Sequence, residues 1–125
     1  MKEVCIVKII LINKDGKVLL QLRGKDVKHS DMWGFWGGYS DDGETYEQTI
    51  LREVKEEIDY DLEAHTQIEE RMEDGEKRVW FIGEISKGIE KLKLSEEQDF
   101  GFFTYEETKN IPMSKNTRDF LKKVF

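Results

Sequence analysis

Gly38-Tyr39-Ser40-Asp41-Asp42-Gly43-Glu44-Thr45-Tyr46-Glu47-Gln48-Thr49-Ile50-Leu51-Arg52-Glu53-Val54-Lys55-Glu56-Glu57 is the stretch on which the reading of this chain turns. It opens as a polar loop punctuated by glycine and runs into a segment with helical periodicity. Thr45 followed three residues later by Gln48 has the spacing of a capping box, in which each side chain satisfies a backbone N–H of the other. Ile50, Leu51, Val54 and Ile58 then recur at helical intervals, so a helix over about 45–58 is expected.

On such a helix, at about 100° per residue, Glu53, Glu56 and Glu57 share one sector roughly 100° wide, centred about 120° from the apolar one. One face enters a core while its neighbour presents three carboxylates. Like charges three and four residues apart cost a helix a few tenths of a kcal/mol per pair, so such a face is either solvated or neutralised by a cation. Hard oxygen donors on a rigid element suit Mg²⁺ or Mn²⁺. In a chain with 27 acidic residues a merely solvated glutamate face is the commonplace reading. The spacing argues against it. Six fixed identities (Gly38, Glu44, Arg52, Glu53, Glu56 and Glu57) with an aliphatic at 54 would coincide by chance on the order of one time in ten thousand or less.

Outward from this segment, residues 3–12 and 17–23 are β-branched and aliphatic and flank Asn13-Lys14-Asp15-Gly16, the pattern of a β-hairpin. Residues 24–31 read as an exposed loop carrying Lys25, Lys28 and His29. Met32 to Tyr39 reads as a short strand ending in a tight turn. Its Trp33, Phe35 and Trp36 are expected to fill a core more readily than to stack on a base. Strands are expected near 62–72 and 78–86, joined at Asp74-Gly75, and again over 100–105, followed by a short polar stretch. A last helix over about 115–124 would carry Phe120, Leu121 and Val124 on one side. Strands and helices are mixed rather than strictly alternating, which predicts an α/β protein with a mixed β-sheet between helices.

A chain of 125 residues fits a single domain over 1–125, able to bury roughly two thirds of its unfolded surface. The net charge of −7 argues against attraction to a nucleic acid polymer or an anionic membrane, so an anionic substrate must be met by local cations or a metal. No apolar run approaches the roughly 20 residues of a membrane span, and no cleavage site follows Val4 to Ile12, which makes the cytoplasm the default location. Cys5, alone in the chain, is expected to be a buried, inert thiol, and His29 and His65 ordinary surface residues.

Residues 38–60 resemble the box of the Nudix (MutT-type) hydrolases: glycine, five residues, glutamate, seven residues, then Arg-Glu-aliphatic-any-Glu-Glu-any-Gly-aliphatic. The resemblance implies a Nudix-type α/β/α sandwich. It implies that Glu53, Glu56 and Glu57 bind Mg²⁺ or Mn²⁺, that Arg52 orients those carboxylates, and that Gly38 and Glu44 shape the loop entering the helix. It further implies that Arg23, Gly37 and Gly38 face the substrate and that an acidic residue of a later loop, Glu97 or its neighbour Glu96, joins the metal. Glu53 is the first candidate for the general base, with Glu56 and Glu97 behind it.

Two positions depart from the family's pattern: Asp59 stands where the box has glycine, and Tyr60 where it has an aliphatic residue. A left-handed helix terminus at 59 would be tolerated by Asp at modest cost. The activity implied is hydrolysis of a nucleoside-diphosphate linkage in a small molecule, foremost a nucleoside triphosphate to a monophosphate and pyrophosphate. Nucleotide sugars, ADP-ribose and dinucleoside polyphosphates are the alternatives, together with a sensing module that has lost catalysis. Decapping of RNA fits poorly with the net charge. A homodimer is compatible with all of these.

Overall fold

The computed structural model describes residues 5–22, 31–73, 75–86 and 100–125. In chain order the elements are β1 (Cys5–Asn13), β2 (Val18–Leu22), β3 (Trp33–Gly34), β4 (Trp36–Tyr39), α1 (Tyr46–Ile58), β5 (His65–Glu73), β6 (Glu76–Ile85), β7 (Phe100–Phe103), α2 (Tyr105–Thr108) and α3 (Lys115–Val124). β1 runs parallel to β6 and antiparallel to β2 and β4, so the sheet is mixed.

Both faces of the sheet are covered, and the strand periodicity of two decides which residue goes where. Val7, Ile9 and Leu11 of β1, with Val79 and Phe81 of β6, pack under Ile50, Val54 and Ile58 of α1. Ile10 of β1 and Trp80 of β6 turn the other way, against Phe120 and Leu121 of α3. The Trp80 and Phe120 rings stack at 3.8 Å. Cys5 is only half-buried, at the rim of the α1-side core, because it begins β1. His65, expected at the surface, is mostly covered and sits 3.2 Å from Glu47 of α1.

The expected hairpin forms, but β1 and β2 pair only at Leu11–Leu19 and Ile12–Val18 before they part. The stretch read as one strand over Met32 to Tyr39 is two: β3 pairs with Gln21 and Leu22, and β4 pairs with Ile6 to Ile9. Phe35 is the residue between them. Where the chain changes partner, side chains supply the missing donors. Gln21 Nε2 donates to the Phe35 carbonyl at 3.1 Å and Trp36 Nε1 donates to the Leu19 carbonyl at 3.0 Å. Phe35 and Trp36 are core residues on opposite faces of the sheet, and Trp33 meets Phe103 edge-on.

Helix α1 starts as its capping box requires, with Gln48 N–H donating to Thr45 Oγ1 and Thr45 N–H to Gln48 Oε1. It ends at Asp59 in a left-handed conformation (φ 53°), whose N–H donates to the Lys55 carbonyl. Tyr60 is buried, and its hydroxyl accepts from Ser86 N–H at 3.0 Å, so a ring with a polar tip replaces the aliphatic side chain by finding a partner. β5 begins at His65 instead of 62, since Leu62 is spent as a buried plug under α1. The polar stretch after β7 is in fact α2, opened by a second capping box between Thr104 and Glu107.

Gly37 is where the fold tolerates no side chain. Its φ is +141°, and a Cβ there would lie 2.1 Å from the Val7 carbonyl oxygen, inside the β1–β4 pairing. At Gly101 a Cβ would meet only the Phe103 ring, at 3.4 Å. Gly37→Ala should therefore cost more than about 2 kcal/mol, by strain and lost strand pairing, while Gly101→Ala stays within about 0.5 kcal/mol. Urea unfolding of the two variants checks this, and equal losses would contradict the packing described.

Candidate active site

The loop Ser40–Thr45 and the first turns of α1 are tied together before any catalytic question arises. Glu44 Oε1 accepts from Asp41 N–H at 2.7 Å and from Thr49 Oγ1 at 3.1 Å. Thr49 is fully buried, and its hydroxyl also lies 2.7 Å from Ser40 Oγ. The Glu44 carboxylate thus comes from a loop but is fixed as firmly as a helical side chain.

Arg52 reaches this carboxylate from the next turns of the helix. Its Nε donates to Glu44 Oε2 at 2.7 Å and its Nη2 to Glu44 Oε1 at 2.9 Å, a two-pronged charge-assisted pair. The rest of the guanidinium faces the glutamate sector. Nη1 donates to Glu53 Oε1 at 2.9 Å and to Glu56 Oε2 at 3.3 Å, and Nη2 also donates to the Tyr39 carbonyl at 3.1 Å. One cation therefore joins the loop, β4 and two of the three helical glutamates. Its partners push its pKa further up, Glu44 most of all.

β4 is placed so that the other side of the glutamate face rests on bare backbone. A Cβ on Gly38 would fall 2.5 Å from Glu53 Oε1, so only glycine lets this carboxylate lie against the strand. Gly37 N–H bonds Glu57. Glu57 itself is raised far above the usual carboxylate range, first by burial and then by hydrogen bonding and charge repulsion with Glu53. Two carboxyls pressed together in a mostly covered place, with Arg52 on Glu53, create a demand for positive charge that the protein meets only in part.

The three glutamates named from sequence do fall on one side of α1, but they are not equivalent. Glu53 is 15% exposed and Glu56 is 59% exposed. Among the described residues no three carboxylate, imidazole or thiol groups already converge as a metal cage. Arg52 draws Glu53 and Glu56 toward itself while Glu57 turns to Glu53 and Gly37. Carboxylate oxygens on a rigid helix, two of them in mutual repulsion, nonetheless suit a hard divalent cation. Gly37 and Gly38, expected to face the substrate, lie beside the glutamates, with contacts to Glu57 and Glu53 respectively. Arg23, Lys25, Lys28, His29, Glu96 and Glu97 lie outside the described residues. The sequence reading missed Thr49, which holds Glu44, and its polarity on the apolar side of α1 was the available signal.

Lys55 occupies the unrestricted place in the motif and bonds outward, to Asp59 at 3.1 Å and Asp61 at 3.2 Å.

A family model for the NUDIX domain matches residues 4–124. An RNA pyrophosphohydrolase from Hydrogenovibrio crunogenus is 30% identical over 108 residues, 71% of this chain and 63% of that protein. The chain thus spans less than two thirds of the length of this curated relative. Among solved structures, MutT of Aliivibrio salmonicida and Vibrio cholerae superposes with a TM-score of 0.85 at 22% identity, covering 98% of this chain and 97% of the other. The NUDIX domain of Shewanella oneidensis NrtR, solved with ADP ribose, superposes with a TM-score of 0.74 at 20% identity, covering 99% and 87%. The mixed sheet between helices is the α/β/α sandwich of the MutT structures.

Arg52 holds the Glu44 carboxyl down to about 2, with Asp41 N–H and Thr49 adding to the effect. A carboxyl lowered on folding stabilises the protein above its ordinary pKa of 4.5 and loses that contribution as pH falls toward 2. The stability gap between the wild type and Glu44→Gln should therefore be widest near about pH 6 and should close between about pH 5 and 2. Thermal unfolding across that range checks it, and a gap constant with pH would contradict the role given to this charge.

Proposed function

The chain belongs to the Nudix family, and from that premise we propose that it is a divalent-metal-dependent pyrophosphohydrolase acting on a small nucleoside-diphosphate-containing metabolite. The leading reaction is cleavage of a nucleoside triphosphate to a monophosphate and pyrophosphate. The observation that carries this reading is the Glu53–Glu56–Glu57 face, organised by Arg52 and laid against Gly37 and Gly38.

In this reading Glu53, Glu56 and Glu57 would hold the cation, which when bound would supply Lewis-acid polarisation of phosphate oxygens and a lower pKa for water. Mg²⁺ is the first choice and Mn²⁺ the second, because both take oxygen ligands and share their sphere with substrate phosphates. The protein's own contribution is positional. Arg52 fixes the rotamers of Glu53 and Glu56 through hydrogen bonds at 2.9 and 3.3 Å, a support of the kind whose loss costs 10–100-fold in metal affinity or activity. Glu53 is the residue assigned to take the proton of the attacking water, with Glu56 and Glu97 as alternatives. Arg23 is assigned to the substrate phosphates and Glu97 to the metal from the sequence resemblance alone. The site would act in the cytoplasm, on a soluble nucleotide.

A second reading has a specific observation behind it: the curated relative is called an RNA pyrophosphohydrolase. The 5′ end of a triphosphorylated RNA offers the same scissile linkage as a free nucleotide. The net charge of −7 weighs against a long polyanion. The two readings separate in one assay, in which phosphate and pyrophosphate release is compared for free nucleoside triphosphates and a 5′-triphosphorylated RNA.

Hydrolysis should require Mg²⁺ or Mn²⁺, and Glu56→Gln or Glu57→Gln should lose at least about 100-fold in rate. Arg52→Ala should damage turnover far more than Lys55→Ala, whose side chain bonds away from the site. Turnover unchanged in EDTA, or equal losses at 52 and 55, would overturn the mechanism.

A further inference from the structure

Among the described residues β5 ends the strand path β3-β2-β1-β6-β5, so no strand pairs with its outer side. Such an edge offers open N–H and C=O groups to another strand, and proteins guard it with short strands, prolines, bulges or charge. β5 has nine residues and no proline, and its register shift lies near its start, between Gln67 and Glu69. From Ile68 to Glu73 the remaining guard is charge, at Glu69, Glu70, Arg71 and Glu73.

The strand's period of two sorts this stretch into faces. Ile68, Glu70 and Met72 share the α1 side, where Glu70 accepts from the Tyr46 hydroxyl at 2.8 Å. Ile68 and Met72 are 40% and 58% exposed, two apolar side chains largely open to water on an edge strand. Glu69, Arg71 and Glu73 share the α3 side. Glu69 Oε1 accepts from Lys123 Nζ at 2.9 Å, but its Oε2 has no hydrogen bond. Arg71 Nε has none either, and the Nη atoms of this guanidinium stand 3.5 Å from Glu69 and 3.4 Å from Glu73. Glu73 accepts from Asn116 at Oε1 and leaves Oε2 open in the same way. The protomer thus carries both donors and acceptors along this edge that it does not pair itself, although buried polar groups ordinarily find partners.

We propose that the β5 edge is a homodimer interface, in which two copies of this strand pair antiparallel about a two-fold axis at Glu70. In that register Ile68 of each copy stands opposite Met72 of the other, and Glu69 opposite Arg71, and symmetry makes each pair twice. Directly opposed Cβ atoms lie about 5 Å apart, within reach of both kinds of contact. The Arg71 donor and Glu69 acceptor left open in one copy thereby face partners in the other. Moving the axis by one residue destroys the match. At Glu69 it sets two Glu69 carboxylates together and Ile68 against Glu70, and at Arg71 it sets two guanidiniums together and Glu69 against Glu73. At Glu70 the only like pair is Glu70 with itself, and each of these carboxylates is already held by Tyr46 and by Lys77 at 3.3 Å. The register shift at Gln67 ends the pairing, so the interface is short and its Kd is on the order of tens of micromolar. A closed two-fold uses up the edge, and assembly stops at two copies.

Two measurements test it. Sedimentation equilibrium of the full chain, from well below to well above that Kd, should show monomer and dimer and no larger species. Arg71→Glu should weaken the dimer at least about tenfold by setting Glu69 against a second carboxylate, and Glu69→Arg should do the same with two cations. The double variant E69R/R71E restores opposite charges across the axis and should recover most of the lost affinity. That recovery separates an interface effect from a folding defect, which a second charge reversal would deepen. In the other measurement, Glu70→Cys in a Cys5→Ser background should form an intermolecular disulfide under mild oxidation, because residue 70 meets its own copy on the axis. Thr66→Cys, about 25 Å from its copy in this register, should not. A monomer at every concentration would refute the interface. So would a dimer indifferent to both charge reversals, a double variant no tighter than the single ones, or equal crosslinking through residues 66 and 70.

Discussion

The geometry of the site depends on the pair between Arg52 and Glu44. A helix alone would place Glu53, Glu56 and Glu57 on one side, but their rotamers would be set by mutual repulsion and solvent. Arg52 prevents this because its own position is fixed, by two hydrogen bonds to a carboxylate that is itself anchored on Asp41 N–H and buried Thr49. The loop therefore determines the directions of helical side chains two turns away. The guanidinium suits the task because it is planar and always charged, with donors enough to serve Glu44, Glu53, Glu56 and the Tyr39 carbonyl at once.

The second constraint is how closely backbone and carboxylates approach. β4 enters where β1 and β2 part; Gly38 leaves room for Glu53 against the strand, Gly37 lets the strand lie close on β1, and the Gly37 N–H bonds Glu57. A carboxyl brought this close to its neighbour and this far from water is hard to ionise, as the raised Glu57 shows. Such a site is poor ground for an isolated charge and good ground for a cation shared between carboxylates.

Much of this was legible in the sequence because it is local. The capping box at Thr45 and Gln48, the apolar stripe of α1 and the amphipathic α3 follow from residues three or four apart, and the structure shows them where they were expected. The family followed from the Arg52-to-Glu57 spacing. What escaped was set by tertiary partners. Nothing in Trp33 to Tyr39 announces that the strand breaks at Phe35, because the break exists only where β1 and β2 diverge. Leu62 reads as strand and serves as a core plug. The Thr104–Glu107 capping box was readable but passed over, since the helix it opens has only four residues.

The central claim, that the glutamate face is a cation site under electrostatic load, is tested most directly by thermal unfolding of the wild type and Glu57→Gln across a Mg²⁺ titration. Without metal the variant should match the wild type or exceed it by up to a few degrees, since Gln replaces a carboxyl that burial and Glu53 already make hard to ionise. Added Mg²⁺ should raise the wild-type midpoint by mass action and raise the variant's less, because only the folded state assembles the ligands. A variant several kcal/mol less stable in EDTA that still responds fully to Mg²⁺ would make Glu57 a structural partner and contradict the account.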